Sequence, residues 1–389
     1  MTPAGAAPIA LARERADEAP RRIAGRAEWK PLGELADVRD AWRDLSVRAL
    51  DPNVFYDPAF ALPAAPVFGD PGAVVVWSKG GHLIGLFPAR VARRYGVMAA
   101  LTGWTHPYAP FGVPLVDREE AEGAITAFLD HAEAKGMLVL LPLIAAEGPF
   151  ATALSRVLVR RGGAMERYGA HARALLAPAD DRIRYLDHIA HRKLKELRRQ
   201  RRRLADKGKV SFDTARTPDA VASAFAQFLT LEAAGWKGRF GSAAIEHPAI
   251  SAFMQQAVTR LAADGRVRID RLTQHGRALA ATITLCAGDS AWLWKIAYDE
   301  TVARASPGVQ LTLDVTESLL ADVSVARADS CATADHPMID HLWRERLALA
   351  DLLIAPSAAA MGQFRVARHL ETLRRVLIAT AKRVRDFRG

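Results

Sequence analysis

Two cysteines, Cys286 and Cys331, are all that 389 residues contain. A disulfide framework is thereby excluded, and a reduced, cytoplasmic compartment is the default expectation. Neither cysteine belongs to a Cys/His cluster at zinc spacing, so no metal is expected. No run of ~18 apolar residues occurs, which argues against a spanning helix. The N-terminus lacks the order of a signal peptide: its short apolar stretch, Ala4–Ala12, precedes the charges of Arg13–Arg22. Residues 1–27 read as a mobile tail. Acidic residues are the scarcer sign, 43 Asp and Glu against 53 Lys and Arg, for a net charge of +10. Such a surface calls for an anionic partner: a nucleotide cofactor, nucleic acid or an anionic membrane. Charge alone does not choose among them.

The chain is long enough for two domains at the usual ~150 residues each. Helical periodicity covers Leu32–Leu50. A hairpin follows, Val74–Trp77 and Leu83–Val91 across a Gly80-Gly81 turn. Next come an aromatic loop, Trp104–Phe111, a short strand near Val113–Val116, an acidic helix start at Asp117–Glu120 and an apolar strand, Met137–Leu143. A helix at Gly148–Arg161 and a basic helix over 187–207 end this unit. The second unit reads as a strand (Val210–Thr214), helices (Pro218–Ala234, Pro248–Ala263), a hairpin (Val267–Thr273, Leu279–Ala287) and a third strand, Ala291–Ala297. The Tyr298–Gly308 loop, a helix at Val309–Leu320, the stretch Val325–Ala332, a helical stretch at Ile339–Arg346 and a strand at Ala350–Ile354 complete it.

Both halves share the order helix, hairpin, loop, helix, apolar strand. A crossover helix between loop and closing strand implies a mixed α/β sheet in each half. The repeated order implies a degenerate internal duplication. The expected divisions are 28–180, a basic linker helix over 181–209, 210–356, and a basic amphipathic helix over 357–389.

Ser306-Pro307-Gly308 joins the third strand to the helix that follows. Ser is a good N-cap, and Pro suits the first turn because its missing N–H has no partner there anyway. Gly308 admits close approach of a ligand to the backbone. The free N–H groups and dipole of such a start bind anions, and Arg304 adds a cation. A pyrophosphate-bearing donor would suit Arg304, Ser306, Pro307, Gly308, Val309 and Gln310. An ordinary capped helix is the competing reading.

The flanking residues extend this picture. Trp292-Leu-Trp-Lys-Ile-Ala-Tyr-Asp-Glu300 and Ser306-Pro-Gly-Val-Gln310 resemble the GNAT-type N-acyltransferases found with bacterial cellulose-biosynthesis clusters, the CelD-like acetyltransferases. Leu231-Glu-Ala-Ala-Gly-Trp-Lys-Gly238, Asp329-Ser-Cys-Ala332 and Asp335-His-Pro-Met-Ile-Asp-His-Leu-Trp343 add to the resemblance, with a weaker match at Asn53–Pro58. These relate to the Fem peptidyltransferases. The resemblance implies tandem GNAT-like folds, each a mixed twisted sheet flanked by helices, and acyl transfer from acetyl-CoA or another acyl-CoA to an amine. The acceptor would be an amino sugar or a polysaccharide-related metabolite. Pro307 stands where the usual loop carries Gly, which keeps a Fem-type aminoacyl-tRNA donor in view. A catalytically silent scaffold of a polysaccharide-biosynthesis assembly is the reading from another class. In the first half, the acidic start Asp117–Glu120 repels phosphate, so that half is expected to shape the acceptor side.

An ammonium acceptor needs a base. Asp299 and Glu300 lie at the end of the third strand, and Asp335 and His336 follow the next. His has the right ordinary pKa for a proton shuttle. Tyr298 is placed to protonate the leaving thiolate. Lys295, a cation among apolar strand residues, needs a partner or a ligand phosphate. Trp236, Lys237 and Arg239 could hold a sugar or anionic substrate, by stacking and pairing. For each, helix capping, solvation or core packing is the plain alternative. The basic helix over 187–207 reads as a solvated linker or a contact for a polyanion such as tRNA. The final helix mixes Phe364, Leu370, Leu373, Leu377 and Val384 with Arg365, Arg368, Arg374, Arg375, Lys382, Arg383 and Arg385. It would pack on protein or lie peripherally on the inner membrane.

Overall fold

A computed structural model describes residues 25–386 except 95–97, 179–181, 190 and 207; the side chains of 94, 379 and 381–386 also lie outside that description. The expected mobile tail falls almost wholly outside the described residues. Its last positions do not: β1 begins at Arg26.

The first half runs β1 (Arg26–Pro31), α1 (Arg39–Arg48), α2 (Pro58–Ala64), β2 (Gly72–Trp77), β3 (Leu83–Arg94), β4 (Met98–Gly103), β5 (Leu115–Val116), α3 (Ala121–Ala134), β6 (Leu138–Ala145), α4 (Pro149–Arg161) and β7 (Ala164–Leu176). The basic α5 (His191–Ala205) leads into β8 (Val210–Ala215), α6 (Pro218–Ala234), α7 (Trp236–Arg239), α8 (Pro248–Ala263), β9 (Val267–Gln274), β10 (Arg277–Ala287) and β11 (Ser290–Tyr298). Then come α9 (Pro307–Ala321), β12 (Arg327–Asp329), β13 (Glu345–Ala355) and α10 (Met361–Asp386). Local rules account for many boundaries. Pro149 opens α4 at its first turn, where a missing N–H is harmless, and Gly162 ends it in the left-handed region at φ 62°.

All thirteen strands among the described residues form one mixed sheet, ordered β1-β2-β3-β4-β6-β13-β7-β12-β11-β10-β9-β8 with β5 paired to β3. Read inward from either end, the sheet has four antiparallel strands, then a parallel neighbour: β4 with β6, and β11 with β12. At the centre the halves exchange strands. β13, from the second half, lies between β6 and β7, while β7, from the first, pairs with β12. Sequence periodicity does not reveal β7: Glu166, Arg167, His171 and Arg173 interrupt any apolar alternation, and only Arg173, Ala174 and Leu176 are buried.

The core likewise ignores the boundary. Phe55 and Phe60 of the first half meet Trp292 and Trp294 of the second edge-on, with ring centroids 5.9 and 5.5 Å apart. A second cluster lies beneath α9 and includes Ile339, Leu342 and Trp343. These three have helical spacing, yet the chain there forms turns, not the expected helix. Trp343 Nε1 donates to Thr316 Oγ1 at 2.9 Å, so tertiary packing holds the residues that periodicity assigned to a helix. β12 is also shorter than the expected strand over Val325–Ala332.

Candidate active site

β11 and β12 run side by side for only three residues, Ser290–Trp292 against Arg327–Asp329. Beyond that they part. The parting coincides with a β-bulge: Thr284 of β10 pairs with Leu293, but Ile283 pairs with Lys295, leaving Trp294 as the extra residue. A bulge re-aims side chains and strengthens local twist. Here it lets consecutive residues meet the same partner. Trp294 Nε1 donates to the Tyr108 carbonyl at 2.8 Å, and Lys295 Nζ sits 3.9 Å from the centre of the Tyr108 ring. Simple alternation, expected for Lys295 from sequence, is therefore broken at this point.

Lys295 has no carboxylate or hydrogen-bond partner among the described residues. Burial, helped by the nearby Lys237, lowers its pKa to about 8. Cys331 shares its surroundings. Burial and Asp329 raise that thiol well above its usual range, so it is inert as a nucleophile near neutral pH. The floor is a buried, bidentate ion pair, Arg173 of β7 with Asp329 of β12. Arg173 also donates to the Pro110 carbonyl at 2.9 Å, which ties the first half's aromatic loop to this cleft. In that loop His106 stacks on Phe68 at 3.9 Å, and burial lowers its pKa to about 3. It is a neutral ring beside a cation. Neither the Arg173–Asp329 pair nor His106 was singled out from sequence. The density of aromatics in Trp104–Phe111 was the available signal for His106; a pair 156 residues apart left none.

After β11 the chain turns through a short 3-10 segment, Glu300–Ala305, which α5 packs against. Asp299 caps it, accepting from Thr301 N at 2.9 Å and Thr301 Oγ1 at 2.6 Å, and pairs with Arg277 at 2.9 Å. Ser306 then takes a left-handed conformation, φ 51° and ψ 51°, and its hydroxyl makes no capping bond. The expected side-chain cap is thus replaced by a backbone reversal. Pro307 has no N–H, so the buried Gly308 and the half-buried Val309 carry the first donors of α9; neither has a hydrogen-bond partner among the described residues. Gln310 closes the turn, donating from Nε2 to Ala305 O at 2.6 Å, while its Oε1 is buried without a partner among the described residues. Arg304 is exposed beside them. A Cβ on Gly308 would lie 3.2 Å from the Tyr298 ring and 3.4 Å from Met338 Sδ. Tyr298, Gly308 and the loop after β12 therefore converge.

Of the other expected base residues, Glu300 is engaged, His336 is bonded through one ring nitrogen, and Asp335 is exposed. Glu300 accepts from Trp236 N at 2.7 Å and pairs with Arg239 at 2.6 Å, contacts that lower its pKa. His336 Nδ1 accepts from Met338 N at 3.3 Å. Asp335 is exposed in a turn at φ 56°. Lys237 pairs with the buried Glu232 at 2.5 Å, and Glu232 also accepts from Ala244 N. Trp236 and Phe240 are both exposed, edge to face with centroids 6.3 Å apart, and form an aromatic platform pinned by Glu300 to the start of the 3-10 segment.

A strand pair that parts at a bulge, beside a helix start with open N–H groups, spans β11 to the loop after β12. Residues 191–336 match the family model described as the acetyltransferase (GNAT) domain. This stretch is similar to GNAT acetyltransferases. Two solved structures resemble the GNAT-like chain over most of its length. One is a conserved protein of unknown function from Bacteroides thetaiotaomicron VPI-5482, 12% identical, covering 84% of this chain and 98% of that one with a TM-score of 0.51. The other is FemX, 10% identical, covering 84% of this chain and 96% of that one with a TM-score of 0.52. Both likenesses concern the fold. No curated protein sequence matches the chain. Among the described residues no group of His, Cys, Asp and Glu could hold a metal ion, and no helix is long and apolar enough to cross a membrane.

Proposed function

We propose that the protein is an N-acyltransferase that uses acyl-CoA and acylates an amine on a sugar or polysaccharide-related metabolite. One observation carries this reading: the bulged parting of β11 and β12 opens beside the start of α9, whose Gly308 and Val309 N–H groups have no hydrogen-bond partner among the described residues. Helix starts of this kind hold phosphate oxygens, and Arg304 adds charge. The thioester would then lie between the strands near Lys295. The acceptor amine attacks the thioester carbonyl, a C–N bond forms and the C–S bond breaks. Lys295, with its pKa near 8, takes the amine's proton when it enters neutral, and Tyr298 supplies one to the leaving thiolate. Asp299 and Glu300 hold the loop and the platform in place; neither is left to act as the base. The exposed Trp236–Phe240 pair suits a sugar ring, which presents C–H groups to an aromatic face.

A second reading has an observation of its own. α5 packs on the 3-10 segment and is bonded to α9 through Arg201 and Asp314 at 2.7 Å, while Arg198, Arg202 and Arg203 are exposed. That is a basic track leading to the donor loop, as a charged tRNA would require.

Calorimetric titration separates the two. Acetyl-CoA is expected to bind, and Gly308→Asp to weaken binding by at least about tenfold, through the added carboxylate at the helix start. Arg304→Glu, at an exposed position, should act in the same direction with the melting temperature unchanged. Unaltered affinity in both variants overturns the loop assignment. A wild-type protein that binds aminoacyl-tRNA and not acetyl-CoA supports the second reading.

A further inference from the structure

α10 touches the rest of the protein along one face. Phe364 and Ala367 are buried against Leu138, Leu140, Leu353 and Ala355, and Glu371 is fully buried, bonded to Arg374 and Arg375. A different face is apolar and uncovered. Val366, Leu373 and Leu377 are 54%, 60% and 70% exposed, and Val376 is 58% exposed beside them. With half-buried Leu370, positions 366, 370, 373 and 377 follow the four-three-four spacing that lines one stripe along a helix. Isolated exposed apolar residues are ordinary, but a stripe of this length marks a contact surface.

Charge selects the occupant. α10 holds seven Lys and Arg against Glu371 and Asp386, half of the chain's net +10. In helical register Arg365 and Arg374 border the stripe on its two sides. Arg374 also lines, with Arg375 and Arg90, a cavity of about 240 Å³ whose other polar walls include Thr102 and Asp351. The Thr102 hydroxyl is buried without a partner among the described residues. A second copy of α10 laid along the stripe would offer no carboxylate among the described residues to either edge, where Arg365 stands on one side and Arg374, bonded to Glu371, on the other. An anionic bilayer meets apolar side chains and cations at once: leucines enter the acyl boundary while Arg and Lys reach the phosphates.

We infer that α10 docks this protein on an anionic lipid surface, through the stripe Val366, Leu370, Leu373 and Leu377 and its flanking arginines. The inference stands apart from the identity of the acyl donor. Its test is flotation of the full chain with vesicles of phosphatidylcholine alone or with about 30% phosphatidylglycerol. The expected result is at least about tenfold more protein on the anionic vesicles, falling to the neutral level in Leu373→Ser/Leu377→Ser. Both positions are exposed, so the melting temperature should not change. Equal flotation of wild type and variant overturns the inference, because adhesion would then come from net charge alone. So does absence of flotation in the wild type. Light scattering that gives a doubled mass for the wild type and a single one for the variant would make the stripe a seam between copies, and overturns it as well.

Discussion

Lys295 illustrates how a side chain acquires chemistry from its surroundings. In the folded protein its pKa is about 8 instead of the ordinary 10.5, because burial penalises the cation. Between those two pH values the unfolded chain holds the extra proton, so stability climbs with pH across that window. Below it the full cost of burying the charge applies. Lys295→Met is therefore expected to be more stable than wild type near pH 7, by up to about 3 kcal/mol, with the gain shrinking above pH 8 and gone beyond about 10.5. Urea unfolding at pH 7 and pH 10 checks this; an unchanged midpoint at pH 7 contradicts it. The same variant should lose acyl transfer, while the wild-type rate rises with pH through about 8. A cation held at a cost beside a cleft is a pattern common at functional sites, and the base role proposed for Lys295 draws on it. Ser306 is a second such residue. A non-glycine in the left-handed region costs roughly 1–3 kcal/mol, and it sits where the chain must reverse to present the start of α9.

At the level of elements, the loop before α9 and the Trp236–Phe240 pair are one connected device. Glu300 opens the 3-10 segment that leads to α9, and the same carboxylate holds Trp236 N and Arg239 of α7. Removing it frees α7 and leaves the start of α9 intact. Glu300→Ala is expected to raise the acceptor KM several-fold with the acyl-CoA KM unchanged, in steady-state kinetics with each substrate varied. A loss in kcat at unchanged KM would instead restore Glu300 as a base. The loop, the third strand and α9 were legible from sequence because turn chemistry and periodicity act locally. The bulge at Trp294 was not, because it appears only when β11 is laid against β10. β7 was hidden for a related reason. Its backbone is paired on both sides, which binds it firmly, yet its charged and half-buried side chains leave no apolar pattern.

For the whole molecule, exchange of central strands sets what can fold alone. β12 spans three residues and draws its outer neighbour, β7, from the first half. β13 lies between two first-half strands. We therefore propose that the sequence-based divisions are units of duplication and not of independent folding. A chain limited to 210–356 would expose both central strands and the faces of Trp292 and Trp294 that meet Phe55 and Phe60. It is expected to lack a cooperative urea transition, whereas the full chain unfolds in one; a sharp transition in the fragment would refute this. The sequence alone determined the order of most helices and of the second-half strands, and many helix starts and stops, since each depends on residues close in the chain. Only the tertiary structure decided which strands are neighbours, that Arg173 pairs with Asp329, and that Asp299 and Glu300 are bound up in caps and ion pairs while Lys295 forms no ion pair among the described residues. Those outcomes depend on which distant groups share a buried space, and burial is a property of the assembled sheet.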